Sequence, residues 1–235
     1  MVRAIVIQHT AADTAAAFLP LLDELGVSVQ CIRLDRGEAL PRVAACDLLL
    51  TFGAPISLLE QNVPGWVEQE KELIQLAVDQ QKMVIGVCFG AQLLAIALGA
   101  RVKRNDATEV GWHPIRRVES KQGASTFNSL PDSFNAFHWH QNTFEIPAHA
   151  VHLYGSRMCQ NQAFQYGDRI LGFQFHFEAN QKTIRNFLLA SKLWRSESDS
   201  VQSKEEILRL TELYLSKQQA TLKAFVNEAL DRLNC

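Results

Sequence analysis

The chain has 235 residues, enough for one large domain or two small ones with a substantial core. Hydrophobic residues make up 47% and charged residues 20%, which excludes a disordered chain, and 23 basic against 25 acidic residues argue against a nucleic-acid-binding surface. Five scattered cysteines (Cys31, Cys46, Cys88, Cys159 and Cys235) have neither disulfide-framework nor zinc-type spacing, which points to a reducing compartment.

No apolar run is long enough to span a membrane, and the N-terminus reaches His9 and Asp13 too soon for a signal peptide. A cytoplasmic location without membrane contact is therefore expected. Ala4 to Gln8 is a short β-branched run, and the Ala-rich segment Asp13 to Leu25 predicts a helix stopping at Gly26. Val27 to Leu34 and Asp47 to Phe52 predict the next two strands, the second closing at Gly53-Ala54-Pro55. From Trp66 to Val78, Trp66, Leu73, Ile74, Ala77 and Val78 fall at helical spacing, with Glu68, Glu70, Lys71 and Glu72 assigned to the opposite, solvated face.

The most informative stretch follows. Met83 to Val87 suits a buried parallel strand, and the apolar run after Cys88 suits a helix ending at Gly99. Cys88 lies at the junction, with Gly86 before it and Gly90 after it, the G-x-nucleophile-x-G pattern of a sharp strand-to-helix turn. The helix end favours thiolate there, and the N–H of Phe89 is a candidate oxyanion donor. Strands alternating with helices imply a parallel sheet covered on both faces, with ligands bound at the strands' carboxyl ends, where Gly53 and Cys88 lie.

Beyond Gly99 the segments Arg101 to Arg104, His113 to Val118, Ala150 to Tyr154, Gln162 to Tyr166 and Arg169 to Gln174 predict a half richer in antiparallel strands, with one helix from Asn180 to Leu193. Residues 1–195 are expected to form the catalytic domain and 196–235 a helical extension. That extension opens with a polar link, Ser196 to Ser203, and a capping-box pattern, Ser203 to Glu206. Ile207, Leu210, Leu213, Tyr214, Leu222, Phe225, Val226, Ala229, Leu230 and Leu233 then predict an apolar stripe, to be buried on the domain itself or in a homodimer or partner interface.

A cysteine nucleophile needs a base, and the base needs an orienting acceptor. In Ile170-Leu-Gly-Phe-Gln-Phe-His176-Phe-Glu178 an apolar strand ends with His and Glu two positions apart, on one side of an extended chain, so Glu178 can hold the His176 imidazole. His138 and His140 straddle Trp139, but with no third ligand at a convincing spacing no metal is expected, and no cofactor either.

Gly86-Val-Cys88-Phe-Gly90-Ala-Gln92 and Gln174-Phe-His176-Phe-Glu178 resemble the class I (triad) glutamine amidotransferases, specifically a stand-alone, GMP-synthase-like branch that includes γ-glutamyl peptidases. Thr51 to Ser57, Glu109 to Trp112, His138 to Pro147 and Gln162 to Tyr166 extend the resemblance over about residues 40 to 190. It implies an α/β three-layer sandwich, flavodoxin-like, with a mixed, mostly parallel sheet and appended C-terminal helices. It further implies Cys88 as nucleophile, His176 as general acid/base and Glu178 as orienter. The N–H groups of Ala54 and Phe89 become the oxyanion hole, and Gly53, Gln92 and His140 substrate-binding residues. The implied reaction is hydrolysis of a γ-glutamyl amide through a thioester, the ammonia passing to a separate synthase. The alternatives are a self-sufficient γ-glutamyl hydrolase and a catalytically silent relative. Ala54, Phe177 and Asn142 depart from the family's usual Gly, Pro and Asp, which leaves donor specificity open.

Overall fold

The computed structural model describes residues 1–120, 123, 125–191, 193 and 198–233. Its centre is a nine-stranded sheet. The strands are β1 (Arg3–Gln8), β2 (Ser28–Arg33), β3 (Leu48–Thr51), β4 (Met83–Val87), β5 (Val102–Arg117), β6 (Ser133–Phe144), β7 (Val151–Gly155), β8 (Ala163–Tyr166) and β9 (Ile170–Phe173). The helices are α1 (Phe18–Glu24), α2 (Trp66–Asp79), α3 (Phe89–Ala97), α4 (Gln181–Ala190) and α5 (Lys204–Leu233).

Strand order is β2-β1-β3-β4-β9-β8-β7-β5-β6. The half from β2 to β9 is parallel and the half from β9 to β6 antiparallel, so the sheet is mixed as expected. The parallel strands are apolar on both sides because both faces are covered. Ala4, Val6, Leu48, Leu50, Met83 and Ile85 enter one core with Phe18 and Leu22 of α1 and Phe225 and Ala229 of α5. The alternate residues Ile5, Ile7, Leu49 and Val84 enter a second core with Ile74 and Ala77 of α2 and Leu93 and Leu94 of α3. Helix, sheet and helix make the three layers.

Four elements differ from the sequence reading. First, α1 starts at Phe18 rather than Asp13. Asp13 is drawn inward, Ala15 N–H donates to the Gln8 side chain at 3.2 Å, and Ala16 takes a positive φ of 34°. A helix from Phe18 also puts Pro20 in its first turn, where a missing N–H costs nothing.

Second, the two segments around Gly111 form one 16-residue strand, β5, with a register shift between Arg104 and Glu109. Third, β6, with no strand of its own in the sequence reading, is its 12-residue partner. Ala136 to His140 are buried without interruption, so the period-two signal of a half-buried strand is missing there.

Fourth, the C-terminal stripe lies on one continuous 30-residue helix, about 45 Å long at 1.5 Å per residue. Ser203 Oγ caps it by accepting the Glu206 N–H at 3.2 Å, while the Glu206 carboxylate pairs with Arg209 instead of completing a box. Leu213, expected in the stripe, is 49% exposed, and Thr211, Leu215 and Gln218 are buried in the face instead. The helix packs on the chain's own sheet through two cores. The expected domain boundary and the first two residues of the polar link, Ser196 and Glu197, lie outside the described residues, as does Cys235.

Candidate active site

The carboxyl ends of β1, β3 and β4, the segment after β9 and the end of β6 converge on a cavity of about 460 Å³. Its lining includes Asp13, Ala54, Cys88, Phe89, Gln92 and His140, with His176 beside the wall that Trp139 and Phe187 contribute.

Cys88 sits between β4 and α3 at φ 52° and ψ −111°, a strained conformation that non-glycine residues adopt rarely. The two flanking glycines make that turn possible. A Cβ at position 86 would lie 2.6 Å from the Gly90 carbonyl oxygen, and one at position 90 would lie 2.3 Å from the Thr51 carbonyl oxygen. The turn is pinned by Cys88 N–H to the Phe173 carbonyl at 2.8 Å and Gly90 N–H to the Phe52 carbonyl at 3.1 Å. Phe89 is the first residue of α3, so its N–H has no intrahelical acceptor.

His176 and Glu178 are joined, Nδ1 to Oε1, at 2.7 Å. The route differs from the extended alternation expected. Strand β9 ends at Phe173, and the pair closes across a turn in which Ala179 N–H donates to the His176 carbonyl at 3.2 Å. Phe177, where the family usually has Pro, is buried among Phe134, Phe173, Phe175 and Phe225, so packing supplies rigidity that a ring would otherwise give. His176 is buried. Burial alone would lower its pKa, but Glu178, Cys88 and Asp13 together hold it well above the ordinary value.

Asp13 is a second carboxylate beside the imidazole, with Oδ1 3.9 Å from His176 Nδ1; that oxygen has no hydrogen-bond partner among the described residues. Burial pushes its pKa up to about 7, with Glu178 acting in the same direction and His176 and His9 against it.

Gln92 Nε2 donates to Gln174 Oε1 at 3.0 Å and reaches the Asn142 carbonyl at 3.4 Å. Gln174 Nε2 in turn lies 3.8 Å from Cys88 Sγ. The Asn142 amide, at another departure from the family pattern, donates to Ser57 Oγ at 2.8 Å. His140 lines the cavity and places Nδ1 3.1 Å from the Asn142 carbonyl. Gly53 is not among the lining residues; its carbonyl accepts from His9 Nδ1 at 3.1 Å. Ala54 lines the cavity without a left-handed φ, so the Gly-to-Ala change leaves its backbone unstrained.

Two sets of buried donors each lie within 4.8 Å, close enough to share a metal ion: Asp13, His176 and Glu178, and Glu109, His140 and Cys159. The second set supplies third partners for His140 that sequence spacing did not reveal, and these have partners already. Glu109 accepts from Ser156 Oγ and Gln162 Nε2, both at 2.6 Å, with His140 Nε2 at 3.1 Å, and the Cys159 thiol donates to Thr143 Oγ1 at 3.3 Å. Burial raises Glu109, but His138, His140 and Ser156 outweigh it and bring its pKa to about 2. His138 lies 3.7 Å from Glu109 and does not line the cavity; burial takes it down to about 3.

Asp13, His9, Glu70 and Glu109 were all missed as site residues in the sequence. For Glu70 a signal existed: it lies four residues after Trp66 and three or four before Leu73 and Ile74, on the apolar stripe itself. It is fully buried, so its assignment to the solvated face is corrected.

The family model for class I glutamine amidotransferases matches residues 16–196. The chain belongs to that family. The glutamine amidotransferase-like protein YfeJ of Salmonella typhimurium is 31% identical over 209 residues, 87% of this chain and 86% of that protein. The glutamine-hydrolysing GMP synthase subunit of Methanocaldococcus jannaschii is 30% identical, over 52% of this chain and 65% of its own. Gamma-glutamyl peptidase 5 of Arabidopsis thaliana is also 30% identical, over 51% of this chain and 49% of its own. A solved glutamine amidotransferase from Methylobacillus flagellatus superposes with a TM-score of 0.90 at 29% identity, covering 98% of this chain and 95% of that one.

Proposed function

We propose that this amidotransferase-family protein hydrolyses a γ-glutamyl amide through a thioester on Cys88. The observation that carries the reading is the strained Cys88 turn facing one cavity with a buried histidine that Glu178 orients at 2.7 Å. The Cys88 thiolate attacks the γ-carbonyl carbon, and the oxygen takes up charge beside the N–H groups of Ala54 and Phe89. Collapse breaks the C–N bond, and the nitrogen leaves with a proton from His176 Nε2. His176 then takes a proton from water as water attacks the thioester, releasing the glutamyl carboxylate and the Cys88 thiol. Glu178 holds the imidazole in the tautomer this needs. Gln92 and His140 shape the donor pocket, and Gly53 serves it from behind through its peptide link to Ala54.

The proposed setting is the cytoplasm, in keeping with unpaired cysteines; among the described residues no helix is long and apolar enough to cross a membrane. With glutamine as donor, the released ammonia would serve a separate synthase, as the likeness to the Methanocaldococcus jannaschii GMP synthase component suggests. A second reading, a self-sufficient γ-glutamyl peptidase, is favoured by the wall beside the proton donor. Phe187 lies 4.7 Å from the His176 ring and stacks on Trp139 at 5.4 Å, an apolar surface that departing ammonia does not need.

The test is glutamate release from glutamine and from γ-glutamyl peptides, with Cys88→Ala alongside. Cys88-dependent turnover favouring glutamine supports the amidotransferase reading, and turnover favouring peptides supports the second. Release equal in Cys88→Ala would sink both.

A further inference from the structure

The candidate oxyanion loop is gripped from behind by a buried pair that lies outside the Cys88–His176–Glu178 set. His9 follows β1, Gly53 and Ala54 follow β3, and Glu70 projects from α2. His9 Nδ1 lies 3.1 Å from the Gly53 carbonyl oxygen, which can only accept, so Nδ1 carries the proton. His9 Nε2 lies 2.7 Å from Glu70 Oε2, and Glu70 Oε1 accepts from Thr51 Oγ1 at 2.5 Å. The ring cannot turn freely: it stacks on Trp66 at 4.9 Å and meets the edge of Phe89 at 5.1 Å. Both side chains of the pair are wholly shielded from solvent. Burial pulls the His9 pKa down, but the Glu70 charge and hydrogen bond and the Gly53 carbonyl more than reverse this.

Burying such a pair is a poor way to stabilise a fold, since well-packed apolar residues of similar volume often do as well or better. Its geometry suits another task. The Gly53–Ala54 peptide is trans, so its C=O and N–H point in opposite directions. Anchoring the carbonyl on His9 therefore turns the Ala54 N–H away from His9, and Ala54 lines the cavity with Cys88 and Phe89. The opposite orientation of this peptide would present a carbonyl oxygen to a developing negative charge. Asp13 closes the loop from another side, because a Cβ on Gly53 would fall 1.6 Å from Asp13 Oδ2.

We propose that His9 and Glu70 are positioning residues of the oxyanion hole: Glu70 orients His9, and His9 orients the Gly53–Ala54 peptide so that Ala54 N–H meets the oxyanion. This rests on the thioester reading given above.

The experiment compares full-length wild type, His9→Ala, His9→Asn and Cys88→Ala. Glutamine and γ-glutamyl-p-nitroanilide are the probes of acylation. Iodoacetamide alkylation of Cys88, followed by peptide mass mapping, is the control, because substitution at its carbon develops no oxyanion. His9→Ala should lose about 10- to 100-fold in kcat, with KM and the Cys88 alkylation rate changed by no more than about threefold, as expected for a misaligned oxyanion donor. His9→Asn, whose amide can replace Nδ1 as donor, should recover most of the loss. Undiminished kcat in His9→Ala overturns the proposal, and so does alkylation falling in step with kcat, which would mean general damage to the site. No recovery in a folded His9→Asn also overturns it. Absence of Cys88-dependent turnover of either probe by the wild type would remove the thioester reading and this proposal together, whereas failure in the His9 variants alone leaves that reading standing.

Discussion

His176 is flanked by two carboxylates with different surroundings. Glu178 is hydrogen-bonded to it at 2.7 Å, whereas Asp13 stands off at 3.9 Å with an oxygen that has no hydrogen-bond partner among the described residues. Their replacement should therefore have different consequences. Glu178→Gln frees the imidazole to take the wrong tautomer and should lower kcat by roughly 10³- to 10⁴-fold, as loss of a histidine-orienting carboxylate does in related triads. Steady-state turnover of the preferred donor checks it. Asp13 is ionised in the unfolded chain above its ordinary 3.8 but in the fold only above about 7. Between those values the fold binds the proton more tightly, so this group's contribution to stability falls as pH rises. Asp13→Asn removes that dependence. Thermal unfolding should show a larger gain in Tm for Asp13→Asn at pH 8 than at pH 5; an equal gain at both would contradict the assignment.

Among the elements, α5 does more than cover one face of the sheet. Gln218, buried on its inner side, accepts the Phe137 N–H at 3.0 Å and donates to the carbonyls of His176 at 3.0 Å and Phe177 at 3.4 Å. It stitches β6 to the turn that carries the candidate acid/base. Gln218→Leu takes the acceptor from the buried Phe137 N–H, at roughly 1–3 kcal/mol, while the His176 carbonyl loses one donor and keeps the Ala179 N–H. Urea unfolding should show that loss, together with a drop in kcat as the His176 turn loosens. Phe225 is fully buried against Phe127, Phe173 and Phe177. Phe225→Ala should cost about 3–5 kcal/mol in the same assay, the usual range for an aromatic core truncation. A helix only loosely docked on the sheet would show neither effect.

Across the whole molecule, the buried polar groups set its response to acid. His138 takes a proton in the unfolded chain below about its ordinary 6.5, but in the fold only below about 3. Its contribution is present above 6.5 and lost as pH falls toward 3; Glu109, depressed from 4.5 to about 2, adds a further loss below 4.5. His138→Phe should flatten the first of these. Urea midpoints at pH 7 and pH 5 should converge in His138→Phe relative to wild type, and an unchanged difference would mean that other groups govern the acid response.

The local sequence by itself determined the elements whose chemistry is written along a short stretch. The apolar runs of β1, β3 and β4 are legible because both faces of each strand are buried, and the turn at Cys88 because its neighbours must be small. The His176–Glu178 pair was legible from its two-residue spacing, although a turn rather than a strand joins it. What only the tertiary structure decided depends on groups distant in sequence. His9, Gly53 and Glu70 meet because parallel pairing of β1 with β3 sets the ends of those strands side by side and α2 packs across them. The inward turn of Asp13 replaced a helix that composition favoured, and β6 is hidden because burial on both faces erases its alternation. Periodicity reports which face of an element is buried; it carries no information about which buried polar groups from other elements will meet there.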